Sequence, residues 1–172
     1  MFSWGDDEHG QLGLARPIGQ SGAHATPRFC SYNIVITAIS CGYAHAMIKT
    51  NNGLIYTMGS NLEGQLGIGD LGVLNKNTPV LIESLIDHKP MQISAGGYHS
   101  AVIMKSGEMY TWGNGTEGAL GLGVMKNFPS PQKVDFKQVT SNFIKEVSCG
   151  MSHTMCLDES GIVYVFGCNQ YG

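Results

Sequence analysis

The chain has 172 residues, 42% hydrophobic and only 13% charged, a balance that suits a globular β-rich domain large enough to bury a core. A net charge of −3, with no basic tail at either end, argues against a dedicated nucleic-acid surface, which needs clustered Lys and Arg. No apolar run approaches the ~20 residues of a membrane-spanning helix, and the acidic start Met1–Glu8 lacks the layout of a signal peptide, so the expected location is intracellular, without membrane insertion.

Residues 1–13 open in mid-pattern, with a strand end at Phe2-Ser3-Trp4 followed by the turn Gly10-Gln11-Leu12-Gly13. Residues 14–38 follow no pattern, and Pro17, Gly19, Gly22 and Pro27 mark them as loop. The β-branched run Ile34–Ile39 reads as a strand, followed by strands over 44–50 and 54–58 and a short fourth at 78–82. Pro79 suits an edge, because it cannot donate to a sheet ladder. The scheme then recurs: strands at 91–95, 100–104, 108–112 and 131–136, then 143–149, 154–157 and 162–166. No helical stripe of apolar residues interrupts it.

The recurrence has a fixed period. Tyr56-Thr57-Met58-Gly59 leads into Gly64-Gln65-Leu66-Gly67; Tyr110-Thr111-Trp112-Gly113 leads into Gly118-Ala119-Leu120-Gly121; Trp4-Gly5 and Phe166-Gly167 fall at the same 54-residue spacing. Ser40-Cys41-Gly42-Tyr43-Ala44-His45 matches Ser94–His99 and Ser148–His153, and the turns Asn52-Gly53, Ser106-Gly107 and Ser160-Gly161 keep step. Such a period belongs to repeat architectures, and four short antiparallel strands per unit make a propeller blade. The fold expected is all-β, a partial β-propeller of four-stranded antiparallel blades spanning 1–172, with units at 4–57, 58–111 and 112–165, and 166–172 opening another. The 24 glycines, about twice the usual share of roughly 7%, follow from the repeat rather than from disorder.

Several slots carry mechanical expectations. Asp7, Asn61, Gly115 and Asn169 share a slot and are residue types that tolerate a left-handed backbone, so a positive-φ turn is expected there, with Gly64 and its equivalents turning the chain back. Gly42, Gly96 and Gly150 are expected where backbones approach near the axis. His45, His99 and His153 read as structural hydrogen-bonding residues rather than bases, and Trp4, Met58, Trp112 and Phe166 as blade core. Cys41 and Cys149 share a slot with Ala95, which suggests a small buried side chain and neither disulfide nor metal site.

Other features tempt a chemical reading. Gly113-Asn114-Gly115-Thr116-Glu117-Gly118 spells a dinucleotide-binding pattern, but Ala119-Leu120-Gly121 cannot start the helix that pyrophosphate binding requires. His9, His24 and His88 show no metal-ligand spacing, and Glu63 and Glu117 share a slot that His9 fills in the first copy. No cofactor, metal site or catalytic residue is expected, and the chain is read as no enzyme. The unpatterned stretches 14–38, 68–92 and 122–146 are where loops could carry recognition; the third offers a mildly basic set, Lys126, Lys133, Lys137 and Lys145, which reads better as solvated loop.

The pattern of Gly-x-x-His, then Tyr-x-Trp-Gly, then Asn-x-x-Gly-Gln-Leu-Gly resembles the repeat of the regulator of chromosome condensation family, over essentially the whole chain. That resemblance implies a seven-bladed ring, more than twice this length, so the chain is expected to be a fragment of a larger regulatory protein, or to self-assemble. It also implies a protein-interaction scaffold, with a guanine nucleotide exchange factor for a small GTPase, or the propeller module of a ubiquitin ligase, as the alternatives. Similar proteins occupy nuclear, cytoplasmic, cytoskeletal or ciliary sites. A light-sensing role fits poorly, since this chain has only Trp4 and Trp112 where such relatives cluster tryptophans.

Overall fold

A computed structural model describes residues 1–16, 22–137, 140 and 142–170; Pro17, Gly19 and the Tyr171–Gly172 end lie outside them. Among the described residues, thirteen strands form four antiparallel sheets. The second sheet is built of β3 (Ile36–Cys41), β4 (His45–Thr50), β5 (Ile55–Ser60) and β6 (Asn75–Leu81), in that spatial order. The third repeats it with β7 (Pro90–Ala95), β8 (His99–Met104), β9 (Met109–Gly113) and β10 (Phe128–Lys133). The first holds only β1 (Phe2–Gly5) and β2 (His24–Phe29), and the fourth β11 (Ile144–Cys149), β12 (His153–Asp158) and β13 (Val163–Gly167). Among the described residues there is no α-helix, and none long and apolar enough to cross a membrane; one 3-10 turn, Glu83–Leu85, follows β6.

Period-2 alternation makes a strand two-faced, and β8 uses both faces. Val102 and Met104 join Met47, Ile55, Ile93 and Trp112 in the core between the second and third sheets. Ala101 and Ile103 point the other way, into a core with Met109, Val134, Ile144, Val147 and Cys156. Every residue of β8 is therefore buried. Among the described residues the fourth sheet has a neighbour on one side only: Met155, Val163 and Val165 are exposed, where the third sheet's Ala101, Met109 and Thr111 are buried.

The strand expectations hold for the inner three strands of each sheet, within two residues, and fail twice at the outermost. Residues 24–29, read as loop since His-Ala-Thr-Pro-Arg-Phe carries no alternation, form β2 by pairing along one edge with β1. The fourth strand of the third sheet runs 128–133 rather than 131–136. Ile82 and Val134 make equivalent backbone bonds, to Ile55 and Met109, two residues short of the 54-residue period. The deficit is returned in the longer link before β11. Pro27, Pro79, Pro129 and Pro131 all sit on the outermost strands, where a missing N–H costs no ladder bond.

Candidate protein-interaction faces

The repeating histidines join sheets rather than reacting. His45 Nε2 lies 2.9 Å from Ser100 Oγ, and His99 Nε2 lies 2.9 Å from Thr154 Oγ1, each in the next sheet. Ser100 gives its own proton to the Gln65 carbonyl at 2.8 Å, and Thr154 gives its to Ala119 at 2.7 Å. The hydroxyl proton is thus committed, so the imidazole Nε2–H donates and the neutral tautomer is fixed. Burial, then the neighbouring His99, lowers the His45 pKa to about 3; burial, then His153, lowers that of His99 to about 4. His153 is exposed, with no described sheet beyond it to offer a hydroxyl. Gly42, Gly96 and Gly150 are required beside these rings: a Cβ on Gly42 or Gly96 would strike its own sheet's imidazole and the Gly96 or Gly150 carbonyl of the next.

The Gly-Gln-Leu-Gly turn has a different mechanism from the one the sequence suggested. Asp7, Asn61, Gly115 and Asn169 do not adopt positive φ; the left-handed residues are Gly10, Gly64 and Gly118, and Gly13, Gly67 and Gly121. Asp7 and Asn61 are chosen instead for a short side-chain oxygen, which accepts the backbone N–H of Leu12 and Leu66. Asn61 also donates to the Asp70 and Val73 carbonyls at 2.7 and 2.8 Å. Gly115 takes the slot for lack of room, since a Cβ there would meet the Lys126 carbonyl. The closing glycine makes space for the next blade: Gly67 lies under Trp112, Gly121 under Phe166 and Gly13 under Met58.

That packing sets the burial of two repeat slots. Trp112 and Met58 are buried under a preceding turn, Phe166 over Gly121 is half-buried against the core of the third and fourth sheets, and Trp4 is 60% exposed, so burial of the slot depends on the neighbouring sheets. Likewise Ala95 is buried, Cys149 half-buried and Cys41 exposed; Cys149 touches the Ser94 carbonyl of the sheet before it, whereas Cys41 faces a first sheet with only two strands.

What remains at the surface divides between the two ends of the blades. At the end bearing the 42–44 and 61–74 loops, Tyr43 is 67% exposed and lies with its ring centroid 5.5 Å from that of Tyr98, and Met151 is 53% exposed. Beside them a polar cavity of about 200 Å3 is lined by Tyr98, Asn114, Thr116, Glu117, Met151 and Ser152. Glu63 does not meet Glu117; it accepts from Asn114 and Asn127 at 3.2 and 2.5 Å and so ties two sheets together. No helix follows Gly113–Gly118. The aromatic pair was missed in sequence, although Tyr43, Tyr98 and Met151 stand out as large residues in a segment otherwise made of Gly, Ala and Ser.

Two of the lysines of 122–146 lie at opposite ends of one strand. Lys126 lies over the Phe128 ring at the start of β10, whereas Lys133, at its other end, pairs with Glu108 at 2.5 Å. His24 lies near Arg16, and His88 meets the Tyr110 hydroxyl at 3.3 Å. Among the described residues no group of three His, Cys, Asp or Glu side chains could hold a metal ion. Of the polar residues singled out in the sequence, His45, His99 and Glu63 hold sheets together.

Comparison with known proteins gives the same picture. Two patterns described as the regulator of chromosome condensation (RCC1) repeat match, one at residues 1–48, 52–103 and 106–157, the other at 36–65, 92–119 and 144–172. Probable E3 ubiquitin-protein ligase HERC3 of Homo sapiens is 35% identical over the whole chain, which spans 16% of that protein. The ultraviolet-B receptor UVR8 of Arabidopsis thaliana is 32% identical, again over the whole chain and 38% of the receptor. Among solved structures, Prp20p of Saccharomyces cerevisiae, described with its binding properties to Gsp1p and histones, superposes with TM-score 0.84 at 25% identity over 98% of this chain and 41% of its own. Human WBSCR16 shares the fold with TM-score 0.79 at 22% identity, over 96% of this chain and 42% of its own.

Proposed function

This chain belongs to the regulator of chromosome condensation repeat family, and we propose that its blades are a protein-interaction scaffold that recognises a protein partner at the end carrying Tyr43, Tyr98 and Met151. The observation that carries the reading is the contrast between interior and surface. The buried His45 and His99 Nε2 atoms and the Ser100 and Thr154 hydroxyls are spent on contacts between blades, while Tyr43 and Met151, residue types enriched at protein interfaces, are left exposed on rigid loops, with Tyr98 half-buried against Tyr43. Recognition is by shape and burial with no bond-making step, and the setting is intracellular.

A small GTPase as partner is the second reading, favoured by the likeness to Prp20p, whose description names binding to Gsp1p. A module within a larger ligase is the corresponding reading from the HERC relatives, of which this chain matches only a part. Purified small GTPases loaded with a fluorescent guanine nucleotide separate these. Binding that Tyr43→Ala with Met151→Ala abolishes, without faster nucleotide release, supports the scaffold. Accelerated release replaces it with an exchange factor. A partner whose binding is untouched by both substitutions refutes the assignment of this face.

A further inference from the structure

At the opposite end of the blades, a cavity of about 520 Å3 opens between the second and third sheets, lined among others by Lys49, Lys89, Lys105, Asn51, Asn52 and Asp87. We propose that it is a docking site for an acidic protein segment, one that presents several Asp or Glu side chains in sequence. The site is separate from the aromatic face, so its failure would leave the scaffold reading standing.

Three departures from the repeat converge to make this cavity. In the slot whose carbonyl receives the N–H of the turn residue, the chain has Val35, Lys89 and Phe143. In the turn residue itself it has Asn51, Lys105 and Glu159. In the strand slot that pairs with Ala38, Gln92 and Glu146 it has Lys49, Ile103 and Leu157. Each lysine is the only cation of its slot; the Lys89 and Lys105 slots adjoin through that backbone bond, and the Lys49 slot lies on a strand of the neighbouring sheet. All three nevertheless line the same space.

The space exists because Lys89 does not fill it. At the next junction Phe143 packs onto Gly107, where its ring atoms lie against the position of a Cβ. At this junction the equivalent Gly53 has only the Pro90 ring at 3.8 Å. Replacing an apolar plug by a lysine thus opens the pocket and charges it at once.

Charge balance selects the ligand class. Three ammonium groups face one carboxylate, Asp87, and none of the three has a carboxylate partner among the described residues. Lys49 Nζ is anchored by the Met91 carbonyl at 2.5 Å, while Lys89 and Lys105 are exposed. The cations come from β4, from the link before β7 and from the turn after β8, so they are distributed along a groove with Asp87 among them. A compact phosphate prefers donors converging on a point, often backbone amides or bidentate Arg. Carboxylates spaced along an extended segment match distributed lysines, with the Asn51 and Asn52 amides as neutral partners.

The test is fluorescence anisotropy with a fluorescein-labelled Glu-rich dodecapeptide, its Gln-for-Glu counterpart and a single-stranded DNA dodecamer, at low and at physiological salt. Lys89→Gln with Lys105→Gln is expected to weaken the Glu peptide at least about tenfold, and added salt to do the same, as for any charge-driven contact. Lys133→Gln with Lys145→Gln, outside the cavity, is expected to change it less than about twofold. Lys89→Phe, which restores the plug of the next junction, is expected to abolish binding with the circular dichroism spectrum and melting temperature retained. Absence of Glu-peptide binding, equal loss in the outside pair, or tighter binding of the DNA by the same lysines would each overturn the proposal.

Discussion

Protonation of the buried histidines offers the sharpest test of the inter-blade relay. In the folded chain the pKa of His45 is lowered to about 3 and that of His99 to about 4, first because burial disfavours the cation and then because of the neighbouring His99 and His153 respectively. Unfolded, each returns to about 6.5. A base with a lowered native pKa binds fewer protons folded than unfolded, so stability rises with pH across the gap. The contribution is complete above about pH 7 and is lost as pH falls toward 4 and 3. At pH 5 both remain neutral in the fold and almost wholly charged when unfolded, which costs about 2 kcal/mol per histidine, or about 4 kcal/mol together. That is a large part of the 5–15 kcal/mol typical of a domain. Urea unfolding of the chain at pH 8, 6 and 5 reads it directly, beside His45→Gln with His99→Gln, whose amides can still donate to Ser100 and Thr154 but cannot titrate. The parent should lose about 4 kcal/mol more than the variant between pH 8 and 5. Equal losses in both would refute the buried neutral tautomer and the relay built on it.

Three further outcomes follow from contacts described above. Trp112→Ala removes a fully buried ring and the N–H bond to the Gln65 carbonyl, and should cost about 3–5 kcal/mol, whereas Trp4→Ala, in the same slot but exposed, should cost less than about 1 kcal/mol; comparable losses in thermal melts would contradict the reading of that slot. Asn61→Ala leaves the Leu66 N–H and the Asp70 and Val73 carbonyls without their partner and should cost about 2–3 kcal/mol by urea unfolding; an unchanged midpoint would mean that the turn holds itself. Asp158, hydrogen-bonded first by Ser160 and then by the Ile162 N–H, Asn142 and Tyr164, has its carboxyl pKa held well below the usual carboxylate range. Its stabilisation is present above the unfolded value of about 3.9 and is lost as pH falls toward the folded value. Asp158→Asn should therefore flatten the acid limb of the stability profile below pH 4, and an unaltered limb would show that Asp158 is not its source.

The sequence by itself determined the blade. A 54-residue period, strands broken by Gly-bearing turns and a histidine repeated at one slot are local or periodic facts, and each survives in the structure because backbone pairing and alternation are set by nearby residues. Tertiary structure decided everything that depends on what lies alongside. Trp4 and Trp112 occupy the same slot with opposite exposure, because only one has a preceding Gly-Gln-Leu-Gly turn above it. Asp7 and Asn61 looked like backbone-conformation residues and proved to be hydrogen-bond acceptors for Leu12 and Leu66, a distinction that φ angles alone can make. Tyr43 and Tyr98, and the lysines at 49, 89 and 105, stand far apart in the chain and in different slots, and no period links them. Blade-to-blade packing alone brings each set to a common surface, because the contacts between sheets join residues that strand pairing within a sheet never juxtaposes.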